Sequence, residues 1–190
     1  MTEWKYMQER IRDALQVLTG LSMWDAGRAV DLIWFQFGAK RIVQGRKGDL
    51  REVGEYALHL QCAWRIVHLD SIFVAADDRF YPRNDPHHDP PDFNWKTPEA
   101  NRCDERLERL FTTFDPDQLV VQAVETDRVG SLRLLMRNGL ALEVFPDNSF
   151  DSECWRFFRP YRDERHLVVT GAGIEDNDDE EDDDDDDAFM

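Results

Sequence analysis

The run Asp-Pro-His-His-Asp at residues 85–89 has the side chains of a metal site. His87, His88 and Asp89 bring imidazole and carboxylate groups close together, and proteins bind metal ions with both groups. The run lies in a proline-rich stretch that shows neither a helical nor a strand period, so no regular element would hold these side chains on one face. A metal site and a solvated surface loop are therefore the two interpretations of this segment.

A second candidate site consists of His59, Gln61 and Arg65. The two-residue period of a strand places these side chains on one face, where they could bind an anion, a carboxylate or another small ligand. The ordinary polar side of a sheet shows the same alternation, so it is the structural alternative. If either candidate site is real, the protein is a metal-binding or small-ligand-binding protein, or an enzyme.

Sequence motifs of known catalytic and cofactor sites are missing from the chain. The Gly-x-Gly pattern at residues 171–173 follows a predicted strand, but a third glycine and a helix do not follow it, which excludes a dinucleotide site. Ser149 and Ser152 lack the glycine-flanked setting of a serine nucleophile. The sequence thus predicts no cofactor and favours a binding protein over an enzyme, while leaving an enzyme open.

The elements that would position these residues are mostly strands. Residues 56–69 read as one long strand whose alternate apolar side chains, from Leu58 to Ile66, share a face. Residues 4–18 carry apolar side chains at helical spacing, with Gly20 as the predicted stop. Residues 100–114 carry a second helical stripe, for which Thr97 is the predicted N-cap and Pro98 the first-turn residue.

A hairpin is predicted around Asn138 and Gly139, because two alternating runs flank them. A two-residue turn would set Arg133 opposite Val144. A three-residue loop over residues 137–139, with Gly139 left-handed, instead pairs Arg133 with Glu143 and places the apolar side chains on one face. The sequence favours the three-residue loop.

The dipeptide Trp-Arg occurs twice, at residues 64–65 and 155–156, each time within a strand-like run that a Val-rich or Ile-rich run follows. Each tryptophan is expected to face the core and each arginine the opposite side. Together with the predicted helices, this echo predicts one α+β domain over residues 1–174. Its sheet is mainly antiparallel and divided into two pseudo-repeat halves, with an N-terminal helix and a helix between the halves.

Cysteine usage and the lack of long apolar runs predict a soluble cytoplasmic protein. Cys62, Cys103 and Cys154 are far apart, form no CxxC pair and lie in apolar runs, so we expect reduced thiols in the core. The first twenty residues have scattered charges instead of the apolar region of a signal peptide, and no run has the length of a membrane span. We therefore expect no membrane partner.

The net charge of -17 comes largely from one segment. Residues 175–187 hold 12 acids and no basic residue, which leaves 28 acids against 23 basic residues in the rest of the chain. Like charges repel each other and do not form a core, so residues 175–190, here called the acidic tail, are predicted to be disordered. Neither part suits direct binding of nucleic acid, whereas a protein partner with a basic surface is expected.

The end of the acidic tail, "DDDDDDAFM", resembles the acidic tails of bacterial single-stranded DNA-binding proteins, which dock on partner proteins through a basic rim and an apolar pocket. It departs from them because Phe189 is not the last residue and the proline is missing. This resemblance and the strand face described above give the predicted partner-binding residues: Asp182, Asp183, Asp184, Asp185, Asp186, Asp187, Phe189, His59, Gln61 and Arg65.

The runs "EYALHLQCAWRIV", "LEVFPDNSFDSECWRFFRP" and "HLVVTGAGIE" resemble an uncharacterised family of small bacterial proteins, and their general style is similar to immunity proteins of bacterial toxin systems. The resemblance extends over most of residues 20–175 and assigns no role to an individual residue. It implies a bacterial cytosolic protein that neutralises or regulates a protein partner without catalysis.

Overall fold

A computed structural model describes residues 3–45, 48–83 and 90–175. Helix α1 spans Glu3–Leu15 and helix α2 spans Arg102–Thr113. The strands, in chain order, are β1 (Met23–Ala29), β2 (Leu32–Phe37), β3 (Arg41–Gln44), β4 (Leu50–Val53), β5 (Tyr56–Leu60), β6 (Ala63–His68), β7 (Ser71–Ala75), β8 (Val121–Thr126), β9 (Leu132–Met136), β10 (Leu140–Phe145), β11 (Glu153–Phe158), β12 (Leu167–Thr170) and β13 (Gly173–Ile174).

The strands form two large antiparallel sheets and one small one. The six-stranded sheet has the order β1-β2-β5-β11-β12-β13, the five-stranded sheet has the order β7-β6-β10-β9-β8, and β3 and β4 form a separate hairpin. Every strand pair is antiparallel, which confirms the predicted α+β class with mainly antiparallel sheet. The two pseudo-repeat halves are a finer prediction that this strand order does not confirm.

One hydrophobic core lies between the two large sheets. Phe35 of β2 contacts Trp64 of β6 edge to face, with ring centroids 5.6 Å apart, so side chains of both sheets meet in this core. Trp64 and Trp155 are buried at 3% and 0% exposure, as expected for both Trp-Arg pairs. The core also includes Ile11 of α1 and Leu107 of α2, so each helix buries its apolar stripe against the sheets.

The single long strand predicted over residues 56–69 is wrong. The structure divides it into β5 and β6, which belong to different sheets and are separated by Gln61 and Cys62. The alternation of side chains continues through this break, so Leu58 and Ile66 both lie in the core between the sheets. The periodicity predicted the buried face, but it carried no information about where the chain leaves one sheet and enters the other.

The predicted hairpin register is confirmed. The three-residue loop spans Arg137–Gly139, with Asn138 and Gly139 at positive φ values of 57° and 74°. Arg133 of β9 pairs with Glu143 of β10, and a guanidinium nitrogen lies 3.1 Å from the carboxylate. The apolar side chains of both strands on the opposite face are buried in the core, as the register requires.

The predicted start of the second helix is wrong by several residues. Helix α2 begins at Arg102, and its N-cap is Asn101, whose side-chain oxygen accepts a hydrogen bond from the backbone of Asp104 at 3.0 Å. Glu99 has a φ of 63°, which is left-handed backbone, so a helix starting after Thr97 would be interrupted there. Asn101 therefore satisfies the backbone N–H of Asp104. Thr97 is too far from Asp104 in the chain to accept this hydrogen bond.

A buried salt bridge and three buried thiols lie within the fold. Arg28 of β1 forms a salt bridge with Asp104 of α2, at 2.8 Å, and its side chain is only 2% exposed, which fixes α2 against the sheet. Cys62, Cys103 and Cys154 are free and buried. Burial raises the pKa of each thiol, to about 12 for Cys103.

Among the described residues, neither helix has the length and apolar composition needed to cross a bilayer.

Candidate functional site

The three residues predicted to share a strand face are separated in the structure. His59 lies on β5 and points outward from the six-stranded sheet. Gln61 is exposed between the strands, where its backbone N–H donates to the carbonyl of Cys154 at 2.8 Å. Arg65 lies on β6 and points outward from the five-stranded sheet. Because the chain changes sheets after Gln61, the single binding face that alternation predicted is wrong.

His59 belongs to a group of rings on the outer side of the six-stranded sheet, here called the aromatic face and defined by Trp34, His59, Phe158 and His166. Trp34 and His59 are cross-strand neighbours on β2 and β5. The His59 ring meets Phe158 edge to face at 4.7 Å, and His166 stacks on the other side of Phe158 at 4.4 Å. Pro160 and Tyr161, in the connection between β11 and β12, lie beside His59 and Trp34 on this face.

The environment of His59 keeps its imidazole neutral. Burial lowers its pKa to about 3, and the positive charges of Arg156 and His166 act in the same direction. The depression around it is lined by Trp34, Gln36, Ala57, His59, Phe158, Pro160 and Tyr161. It has a volume of about 10 Å³, which is room for one water at most. In this conformation the aromatic face packs His59 and leaves no space for an organic ligand.

The outer side of the five-stranded sheet carries a row of alternating charges, here called the charged ladder and defined by Arg65, Glu143, Arg133 and Glu125. Glu143 lies between the two arginines, 2.6 Å from Arg65 and 3.1 Å from Arg133. Arg133 also contacts Glu125 at 3.4 Å. The guanidinium of Arg65 lies 5.4 Å from the ring centre of Phe145, beside the ladder. These charges pair with one another in register across four strands.

A larger open depression lies elsewhere, between α1 and two turns, and is here called the basic groove. It has a volume of about 640 Å³ and is lined by Tyr6, Met7, Arg10, Arg128, Val129, Thr170, Gly171, Ala172, Gly173 and Ile174. The side-chain amide of Gln8 donates to the carbonyl of Thr126 at 2.6 Å and so ties α1 to the end of β8. One wall of the groove is therefore held on the five-stranded sheet.

The turn between β8 and β9 forms the second wall of the groove. A carboxylate oxygen of Asp127 accepts hydrogen bonds from the backbone of Val129 at 3.0 Å and of Ser131 at 2.8 Å. The indole N–H of the buried Trp155 donates to the carbonyl of Gly130 at 2.9 Å. The core residue of the second Trp-Arg pair thus positions the turn that presents Arg128 to the groove.

The turn between β12 and β13 forms the third wall. The Thr170 hydroxyl donates to the carbonyl of Gly173 at 3.1 Å and accepts from the backbone of Ala172 at 3.2 Å. A Cβ atom on Gly171 would lie 2.0 Å from the carbonyl oxygen of Asn148, so only glycine fits there. Gly171 therefore meets a requirement of backbone packing, and Gly173 adopts a positive φ of 142°.

The basic groove combines positive charge with accessible apolar surface. Arg10 and Arg128 are the charged residues among those that line it, and the Arg10 guanidinium lies 5.3 Å from the Tyr6 ring centre. Tyr6 and Val129 are 54% and 66% exposed. Such a surface can bind a negatively charged chain and add apolar contacts. Sequence reasoning missed this groove, because Arg10 and Arg128 are far apart in the chain and belong to no motif.

The remaining predicted site residues lie outside the described residues. These are the acidic tail with Asp182, Asp183, Asp184, Asp185, Asp186, Asp187 and Phe189, and the loop with His87, His88 and Asp89. Within residues 3–45, 48–83 and 90–175, the structure brings together no group of three or more histidine, cysteine, aspartate or glutamate side chains that could hold a metal ion.

Comparison of the chain with protein-family models, with curated proteins and with solved structures finds no match.

Proposed function

We propose that this protein binds a protein partner with a basic surface and neutralises or regulates it without catalysing a reaction. The concrete form of the proposal is an immunity protein that acts in the cytoplasm. The observation that carries it is the concentration of 12 acids in residues 175–187 of a chain with a net charge of -17. A dense negative charge accelerates encounter with a basic partner and selects against acidic ones.

The folded body presents this acidic run from a fixed point. The backbone N–H of Glu175 donates to the carbonyl of Val168 at 3.0 Å, next to the last strand, β13. We infer that the aspartates from Asp182 to Asp187 steer the partner and that Phe189 supplies an apolar anchor, because charge attracts at long range and a buried aromatic ring holds the complex.

Two of the predicted body residues suit contact with a partner better than the third. Gln61 is exposed, and the Arg65 side chain is 43% exposed beside Phe145, which is itself 39% exposed. Exposed arginine and aromatic side chains are common in binding surfaces. His59 is largely covered by Phe158 and the neighbouring loop, so we expect it to contribute through packing.

We also propose that the two halves of the chain share one topology. In the first half, β1, β2 and β5 are neighbours in one sheet and β6 and β7 pair in the other. In the second half, β8, β9 and β10 are neighbours and β11 and β12 pair in the opposite sheet. Each Trp-Arg pair then lies on the first strand after the change of sheet. Failure of the two halves to superpose in an experimental structure would contradict this.

Co-expression with the toxic product of a neighbouring gene tests the proposed function. We expect growth to be rescued by the full chain, and rescue to weaken in a variant in which Asp182 to Asp187 are all changed to asparagine. That variant keeps the length of the acidic tail and removes only charge. A Phe189→Ala variant separates anchoring from steering. No rescue by the full chain, together with no partner recovered from the native host, would contradict the proposal.

Metal analysis of the purified protein separates this proposal from its main rival. Stoichiometric zinc or manganese that is lost when His87 and His88 are changed to alanine would favour a metal-binding protein or a metal-dependent enzyme instead. We expect no stoichiometric metal in the parent chain and no difference in metal content between the parent and this variant.

A further inference from the structure

We propose that the outer side of the five-stranded sheet is an interface with a second copy of this chain, so that the protein forms a symmetric dimer. The proposal goes beyond the binding of another protein and does not depend on the proposed function. It concerns the face that carries the charged ladder and, beside the ladder, a row of apolar side chains.

This second row, here called the apolar row, crosses all five strands in register. Val67 of β6 pairs with Ile72 of β7 on one side and with Ala141 of β10 on the other. Leu135 of β9 pairs with Ala141 and with Ala123 of β8. Each of the five has a neighbour along its strand that packs in or against the core, so the apolar row points outward. The solvated side of an antiparallel sheet is normally polar, and a continuous apolar row there is typical of an interaction surface.

The apolar row and the charged ladder are accessible to solvent. Ile72 is 57% exposed, and the side chain of Arg133 in the ladder is 46% exposed. Val67 and Leu135 are half-buried. Leu69, in the turn that follows β6, is 72% exposed and adds apolar surface at the end of that strand. A second sheet packed on this face would remove all of this apolar surface from water.

The order of the charges selects a second copy of the chain as the occupant. Across the strands from β6 to β8, the charged ladder reads positive, negative, positive, negative. A two-fold axis parallel to the strands, between β10 and β9, sets this row opposite itself in reversed order. Arg65 then lies over Glu125 of the partner subunit. Glu143 lies over Arg133 of the partner subunit, so the row is complementary to itself.

This docking requires no unpaired charge. Each charge of the ladder has an opposite charge on a neighbouring strand, at 2.6 to 3.4 Å. Burial under a second sheet therefore leaves no charge without a partner, which is the arrangement that costs most free energy. The facing row selects the register of the two copies, and the apolar row supplies the attraction.

The apolar row is complementary to itself in size as well. The same axis places Leu135 over Ala141 of the partner subunit. It places Val67 over Ala123 of the partner subunit, so a large side chain meets a small one in each pair. Ile72 lies at the rim of the contact. Because the axis is parallel to the strands, the two sheets pack in the aligned arrangement, about 10 Å apart.

The area of this face predicts a weak dimer. Five strands and about six residues along each strand give a face of about 24 by 20 Å, which is about 500 Å² for each copy and about 1,000 Å² in total. Stable specific interfaces usually bury more than this. We therefore expect a dissociation constant of about 10 to 100 μM and a monomer at about 1 μM.

Sedimentation equilibrium of the full chain tests the dimer. Between about 5 and 500 μM, at about 0.15 M salt to screen repulsion between the negative charges, the mass should rise from that of a monomer toward twice that value. Leu135→Lys should raise the dissociation constant about tenfold or more, because it places a charge at the centre of the contact. Ile72→Lys, at the rim, should raise it about threefold or less. Ile42→Lys is the matched control, since Ile42 is 73% exposed on β3, outside both large sheets.

A chain that stays monomeric up to about 500 μM would overturn the proposal, and so would a dimer that Leu135→Lys weakens no more than Ile42→Lys does. If Leu135→Lys does not fold, the parent chain decides. On dilution, the amide signals of Leu135 and Ala141 should shift with the midpoint of the sedimentation curve, whereas Ala57 of the six-stranded sheet should not shift. Shifts confined to the six-stranded sheet would place the contact elsewhere and overturn the proposal.

Crossed cysteines test the position of the two-fold axis. The axis sets Val67 over Ala123 of the partner subunit, while the two copies of Val67 lie about 14 Å or more apart. A mixture of Val67→Cys and Ala123→Cys chains, treated with a short bismaleimide, should give cross-linked dimers that contain both chains. Either variant alone should give few, because the three native thiols are buried. A yield from Val67→Cys alone that equals the yield from the mixture would overturn the proposed arrangement.

Discussion

The aromatic face and the charged ladder lie on the outer sides of two sheets that share one core, and one stretch of chain contributes to both. His59 of β5 points into the aromatic face and Arg65 of β6 points into the charged ladder. On the first face, Pro160 and Tyr161 lie beside His59, His166 stacks on Phe158, and Phe158 is only 5% exposed. On the second, Arg65 and Arg133 remain more than 40% exposed.

This difference shows that alternation alone does not determine what a polar strand position does. His59 and Arg65 occupy the same phase of the two-residue period. His59 nevertheless packs among aromatic rings, whereas Arg65 forms a salt bridge at a solvent-exposed surface. The distinction comes from a loop that is remote in sequence. We therefore expect the aromatic face to contribute to stability through burial and the charged ladder to contribute little, and mainly at low salt.

The largest expected effect is the loss of Phe158. The Phe158→Ala variant removes a buried ring that contacts both His59 and His166, which should cost about 3 to 5 kcal/mol of unfolding free energy. Phe145→Ala is the matched control on the other face, where the ring is 39% exposed, and it should cost about 1 kcal/mol or less. Urea denaturation at pH 7 measures both. Equal losses would show that the two outer faces do not differ in burial.

The second expected effect is a pH dependence due to His59. Its folded-state pKa of about 3 lies below the ordinary value of 6.5, so between these values the unfolded chain binds a proton that the folded protein does not. The part of the unfolding free energy that depends on a neutral His59 is therefore fully present above pH 6.5 and is lost as the pH falls toward 3. Between pH 7.5 and pH 4.5 the unfolding free energy of the parent should fall by about 3 kcal/mol more than that of a His59→Phe variant.

The titration of Asp25 does not affect this comparison of the parent with the His59→Phe variant. Burial raises the pKa of this carboxyl group, so it also titrates during acidification, but it is present in both proteins and cancels in their difference. Urea denaturation at several pH values gives the two curves. Parallel curves for the parent and the His59→Phe variant would show that His59 is solvated and that the loop does not cover it.

Sequence reasoning succeeded where the interactions are local. The loop at Arg137–Gly139 was predicted from one dipeptide and the requirement that apolar side chains share a face, and the pairing of Arg133 with Glu143 followed from that register. The burial of Trp64 and Trp155 also followed from alternation. In each case the evidence lies within about ten residues of the feature.

Sequence reasoning failed where remote segments decide the structure. The break at Gln61 leaves the apolar alternation intact, so nothing in the local pattern marks the change of sheet. The basic groove requires α1, the turn at Arg128 and the turn at Gly171 to meet, and these segments are more than 40 residues apart in the chain. Periodicity predicts which side of an element is buried, but it does not predict which elements become neighbours.

A smaller effect is expected from neutralising the centre of the charged ladder. Glu143 is 13% exposed and contacts two arginines, so Glu143→Gln should cost about 1 kcal/mol at low ionic strength. The loss should shrink at about 0.5 M salt, because the arginines are well exposed and their charges are screened. The Phe158→Ala loss should show no such reduction in the same urea titrations. A Glu143 effect that is independent of salt would indicate that the ladder is buried.

The smallest expected effect lies at the end of the charged ladder. Glu125 and Arg133 are 55% and 46% exposed and 3.4 Å apart, so Glu125→Ala should change the unfolding free energy by about 0.5 kcal/mol or less. A double-mutant cycle over Glu125 and Arg133 should give a coupling below about 0.5 kcal/mol, and a second cycle over Glu143 and Arg133 about 1 kcal/mol. This gradient is expected because Glu143 is the only one of the two carboxylates that is largely removed from water. If the first coupling equals or exceeds the second, the ladder acts as one network instead of separate pairs, and the outer side of the five-stranded sheet would then contribute to stability through cooperation among its charges.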